Sequence, residues 1–67
     1  MYKIIDTSTS REFYRGENYN RAAKAFFLIE DAILLRNPDF DRTYLCLVNE
    51  DTGRAMSVVY DPEKDND

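Results

Sequence analysis

Residues 18–37 read NYNRAAKAFFLIEDAILLRN, and no other stretch of this chain is long and regular enough to make an extended helix. The segment contains neither glycine nor proline, and Pro38 follows it directly. Proline cannot continue the hydrogen-bond ladder and disfavours helical geometry at the residue before it, so the helix should end near Asn37. At the start, Asn18 and Asn20 each offer a side-chain oxygen to the free amides of a first turn, and Asn18 is the better placed.

The apolar pattern of this helix is wider than one buried face requires. With Ala22 at zero and about 100° per residue, Ala22, Phe26, Ile29 and Ile33 fall within roughly 40° of one line, flanked by Ala25 and Ala32. That stripe reads as ordinary core. Phe27 and Leu34 lie about 120° to 140° away on one side, and Leu28 and Leu35 the same distance away on the other. Only Asn20, Lys24 and Asp31 form a polar strip opposite the core, where a surface helix is normally polar over about half its circumference. The helix is therefore expected to be buried on three sides, and the surplus points to a partner.

The chain has limited means of covering that surplus itself. A domain of 67 residues holds a single core and removes only about 60% of its unfolded surface from water. Mini-domains of this size lean on disulfides, metals or oligomerisation. Cys46 is the only cysteine and histidine is absent, which excludes an intramolecular disulfide and the usual zinc sites. Self-association remains, with Phe27, Leu28, Leu34 and Leu35 as the expected protein interface. Partial shielding by the chain's own loops is the plainer alternative.

Charge adds little to this picture. Of the net −4, residues 1–60 carry −1 and residues 61–67 carry −3. The body is nearly neutral, and the acidic end reads as a solubilising, disordered tail rather than a mimic of a nucleic-acid backbone. The start of the chain has no basic region followed by a sustained apolar run, so it is not read as a signal peptide, and no run approaches the roughly 18 apolar residues of a membrane span. A lone thiol suits a reducing compartment, and a cytoplasmic protein is expected.

Strands flank the helix on both sides. Tyr2 to Thr7 and Arg11 to Arg15, separated by Ser8, Thr9 and Ser10, read as a hairpin, with Tyr2, Ile4 and Asp6 on one face and Lys3, Ile5 and Thr7 on the other. Beyond the helix, Phe40 should anchor the connection. Arg42 to Glu50 form a continuous apolar run typical of a central strand. Asp51, Thr52 and Gly53 make a turn, and Arg54 to Tyr60 return as a partner strand with both faces covered. The order β-β-α-β-β implies one α+β domain over residues 1–60, an antiparallel four-stranded sheet with one long helix packed on one face. The third strand offers Tyr44, Cys46 and Val48 on one side and Leu45 and Leu47 on the other, so the sheet face away from the helix is more apolar than a solvated face needs and competes with the helix as an interface.

Chemistry is sparse. Cys46 sits in an apolar run with no base beside it and reads as a structural thiol. Asp39 and Asp41 read as turn residues, and adjacent Glu30 and Asp31 point about 100° apart on the helix. Gly16 and Gly53 are isolated, so no phosphate-binding loop can be built from local sequence. No catalytic residue, cofactor or metal ligand is expected, and the chain is not read as an enzyme. Arg11, Tyr14 and Arg15 offer a basic and aromatic edge strand that could contact nucleic acid by stacking and phosphate neutralisation, although regular alternation would send Phe13 and Tyr14 to opposite faces. The leading expectation is a small protein-binding module, a homodimer that occupies the surface of another protein. By analogy of size and economy alone, it is of the kind found among accessory and inhibitor proteins of phages and mobile elements.

Overall fold

The computed structural model describes residues 1–64 and places four strands and one long helix in two layers. Strands β1 (Tyr2–Asp6), β2 (Arg11–Gly16), β3 (Leu45–Asn49) and β4 (Arg54–Met56) form one antiparallel sheet in the order β2-β1-β3-β4. Helix α1 (Tyr19–Arg36) lies across one face of it. The expected α+β architecture is therefore the observed one. The run after the helix does supply a central strand, and β1 is the other. No helix among the described residues is long and apolar enough to cross a membrane.

Alternation sets the two faces of the sheet. Ile4 pairs with Leu47 across β1 and β3, and both are buried under the helix with Leu45, Ala22 and Phe26. Lys3, Ile5, Cys46 and Val48 occupy the opposite face by the same register. The helix ends fall where the chain chemistry puts them. The Asn18 side chain accepts from the Arg21 amide at 3.1 Å, and Asn37 closes the last turn.

The buried face of the helix is rotated from the expected stripe. Ala22 and Phe26 are buried, but Ile29 and Ile33 are only half-buried and Ala32 is exposed, while Ala23 and Glu30 are buried instead. Glu30 is tolerated there because Arg42 reaches its carboxylate at 3.4 Å.

Two strand boundaries also differ from the sequence reading. Arg42–Tyr44 form a single 3-10 turn rather than the start of β3, because the Asp41 carboxylate accepts from the Thr43 amide at 3.0 Å and from its hydroxyl at 2.8 Å. Strand β4 stops at Met56 instead of running to Tyr60. Residues 57–61 leave the sheet and are strapped to the start of the helix by side chains. The Tyr19 hydroxyl donates to the Ser57 carbonyl at 2.6 Å and accepts from the Val59 amide at 3.0 Å. The Asn20 amide donates to the Asp61 carbonyl at 3.0 Å and accepts from its N–H at 2.9 Å, imitating one rung of a sheet. Asn20 is thus half-buried, not part of an open polar strip, and Asp61 is held rather than loose. Pro62–Lys64 make a further 3-10 turn, and the rest of the expected tail, residues 65–67, lies outside the described residues.

Both hairpins use the same four-residue loop. Asp6 and Asn49 each turn a side-chain oxygen onto the amide two residues ahead, at 2.9 Å and 3.0 Å. Each loop closes on a residue with positive φ, Ser10 at 59° and Gly53 at 71°. Glycine adopts that region freely, whereas a side chain there costs about 1 kcal/mol. Ser10→Gly is therefore expected to raise the melting temperature by roughly 4 to 8 °C per kcal/mol gained; an unchanged or lower midpoint in a thermal melt would refute the strain. Tyr19→Phe keeps the ring, which stands edge-on to Tyr2 with centroids 5.5 Å apart, but removes both strap hydrogen bonds. The expected loss is about 1 to 2 kcal/mol, read by chemical denaturation, with faster hydrogen exchange at the Val59 amide.

Candidate interaction surface

The four helix residues singled out from sequence do not share one surface. Leu28 and Leu35 are 61% and 85% exposed, roughly 160° to 180° around the helix from Phe26 and two turns apart on the same line. Phe27, 41% exposed, leans its ring edge-on against Phe26 with centroids 5.9 Å apart. Leu34, two turns further on, is half-buried on the same flank as Phe27. Lys24 and Asp31 lie between the two pairs. Because Lys24 also sits over the Tyr60 ring at 5.9 Å, the strapped segment partly covers that side. Within the chain the helix is consequently buried on one side, edged on a second, and bare along Leu28 and Leu35.

Ala25 and Ala32 border that line on its core side, and Ala25 packs against the buried cluster. Ala25 is half-buried and Ala32 exposed, and with the two leucines they recur at intervals of three, four and three residues. The expected place of these alanines flanking the core stripe is the observed one for Ala25, and the three-four-three spacing is visible in the sequence itself. Asp31 and Arg36 flank the line on opposite sides, and neither has an ion-pair partner among the described residues.

A second feature, not anticipated from sequence, is an open groove of about 430 Å³ between β2 and the C-terminal half of α1. Phe13, Ile29, Ala32, Ile33 and Phe40 form its apolar wall, with Arg11 and Arg36 at the rim. It depends on a β-bulge. Ile4 pairs with Tyr14 but Ile5 pairs with Glu12, so Phe13 is an extra residue in β2. Two successive aromatics, Phe13 and Tyr14, therefore both pack toward the core, where regular alternation predicted opposite faces. Tyr14 can lie flat at the strand end because residue 16 is glycine: a Cβ there would stand 2.6 Å from the Tyr14 hydroxyl.

The bulge also separates the residues considered for nucleic acid. Arg15 is placed on the outer sheet face, where it bonds Glu12 at 2.9 Å and Glu50 at 2.5 Å. A Glu12–Arg15 pair would straddle a regular strand; the extra residue puts both on one side. These partners, Glu50 first, hold the guanidinium still more firmly protonated. Arg11 lies on the helix side with its charge 5.3 Å from the centre of the Phe13 ring. Arg11, Tyr14 and Arg15 are thus not brought together. The outer sheet face carries the apolar line Ile5, Cys46, Val48 and Ala55, edged by Lys3 and Glu50. Cys46 is half-buried there, its sulfur 3.8 Å from the Thr43 carbonyl.

Among the described residues no three acidic or cysteine side chains converge as a metal site would require. No protein-family model matches the chain, and no curated protein or solved structure matches it.

Two carboxylates are held in turns rather than aimed at a ligand. Bonds from Ser8 lower the Asp6 pKa, and bonds from Thr43 lower that of Asp41. Groups with depressed native pKa stabilise the fold above their unfolded value and lose that contribution as pH falls through the native one. Stability should therefore be insensitive to these two groups above about pH 5 and decline below about pH 4, near the ordinary aspartate pKa. Thermal melts from above about pH 5 to below about pH 4 test this, and the double variant Asp6→Asn, Asp41→Asn should show a shallower acid decline than wild type.

Proposed function

We propose that this chain is a small, non-catalytic protein-binding module that self-associates through the outer line of α1. The observation that supports it is the exposure of Leu28 and Leu35, 61% and 85%, two large aliphatic side chains held by a rigid helix on the side away from its own core. Isolated exposed leucines are common on soluble proteins; two aligned on one helix face, with Ala32 between them on that line, make a continuous apolar strip.

The energy is modest. Two leucines from each of two copies, at about 1.5 to 3 kcal/mol for a fully exposed side chain and scaled to their exposure, give roughly 4 to 9 kcal/mol before an association cost of about 4 to 15 kcal/mol. A weak dimer follows, with dissociation in the high micromolar range unless further surface joins it. Phe27 and Leu34, about 100° around the helix, lie outside a contact centred on Leu28 and Leu35, which leaves that flank for a different protein partner. In this reading the molecule acts in the cytoplasm by occupying a surface, as small accessory or inhibitor proteins do. Nucleic-acid binding through Arg11, Tyr14 and Arg15 draws less support, since those side chains diverge.

Light scattering or sedimentation equilibrium from about 10 μM to 1 mM should show wild-type mass rising with concentration. Leu35→Asp, at a position too exposed to disturb folding, should weaken the association at least about tenfold while circular dichroism stays unchanged. A wild-type protein that remains monomeric throughout would overturn the proposal.

A further inference from the structure

Resting on the self-association just proposed, we infer that the occupant of the outer helix line is a second copy of this chain lying parallel to the first, packed through a short two-stranded seam of Ala25, Leu28, Ala32 and Leu35. Their three-four-three spacing is that of the inward positions of a coiled-coil repeat, and the small residues at alternate positions permit close approach of the two backbones. The seam is only about one and a half repeats long. That length suffices because the helix is already formed and fixed by the sheet, so pairing orders no new backbone. Leu28 and Leu35 face away from Phe26, while Ala25 packs at the margin of the core and Ala32 lines the groove beside β2, so the partner helix would approach the outer line from its β2 side.

Charge selects the direction. In a parallel pair the position just before one inward residue faces the position just after an inward residue of the partner, five residues further on. Asp31 and Arg36 stand at such positions, have opposite sign, and have no ion-pair partner among the described residues. A parallel dimer therefore forms the Asp31–Arg36 pair twice, once on each side of the symmetry axis. An antiparallel dimer with Leu28 opposite Ala32 would instead set the two Asp31 carboxylates beside each other at the axis. The parallel arrangement carries one cost: Arg21, one repeat before Leu28, meets its own copy at the open end of the seam.

Direction can be read by cross-linking in a Cys46→Ser background. In a parallel seam each position lies opposite itself, so Leu28→Cys alone should form a disulfide-linked dimer under mild oxidation. In an antiparallel seam only a mixture of Leu28→Cys with Ala32→Cys would do so, and that result overturns the inference. Independently, Asp31→Asn should weaken self-association roughly threefold to tenfold, whereas an antiparallel pair would tighten on losing that repulsion. The exchanged variant Asp31→Arg, Arg36→Asp should recover near wild-type association, and Arg21→Ala should strengthen it. A monomeric wild type fails the parent proposal and this one together. A dimer that tightens on Asp31→Asn, or that cross-links only as a mixture, fails the parallel seam alone.

Discussion

The contact on which the rest of the molecule depends is the packing of Ala22 and Phe26 from the helix onto Ile4 and Leu47 from the two central strands. These residues, with Leu45, are the buried cluster, and in a chain this short no second core exists to compensate for them. The alanines let the helix axis come close, and the aromatic ring fills the space that closeness leaves. Once the helix is seated this way, its opposite side must face outward. The bare line of Leu28 and Leu35 is thus a geometric consequence of how the core closes.

The extra residue in β2 has the next largest effect. By admitting Phe13 out of step, the bulge turns two aromatics toward the helix and widens the core on that side, which Gly16 makes possible by leaving room for Tyr14. It also shifts Glu12 and Arg15 onto the outer face, where with Glu50 they form a charged edge beside an apolar line. One inserted position therefore shapes the groove under Arg11 and Arg36 and disperses the basic residues of the strand. A bulge on an edge strand further discourages open-ended pairing with other chains.

At the other end, the strap of residues 57–61 shows how a small domain can hold its chain without extending its sheet. Tyr19 and Asn20 present side-chain groups in place of a neighbouring strand. The consequence is a short β4 and a helix whose first turns are partly covered while its outer face beyond them is open. Coverage and exposure on α1 thus follow from where the C-terminal segment is tied.

Local pattern was enough for the helix and its caps, the two hairpins, the alternation along β1 and β3, and the central place of the third strand. These follow from short-range physics: proline ends a ladder, asparagine caps it, and alternating side chains sort themselves between two environments. Local pattern was also enough to mark Leu28, Leu35, Phe27 and Leu34 as surplus to the core. It did not resolve them into two flanks of unequal exposure, because which side of the helix is buried depends on tertiary contacts such as Arg42 reaching Glu30. The bulge at Phe13, the strap through Asn20 and the groove at Arg11 were equally beyond it. Each depends on a register or a side-chain-to-backbone bond between residues far apart in sequence, with |i−j| of about forty for the strap. Periodicity along a segment determines which side chains seek burial; only the assembled sheet and helix decide which of them find it.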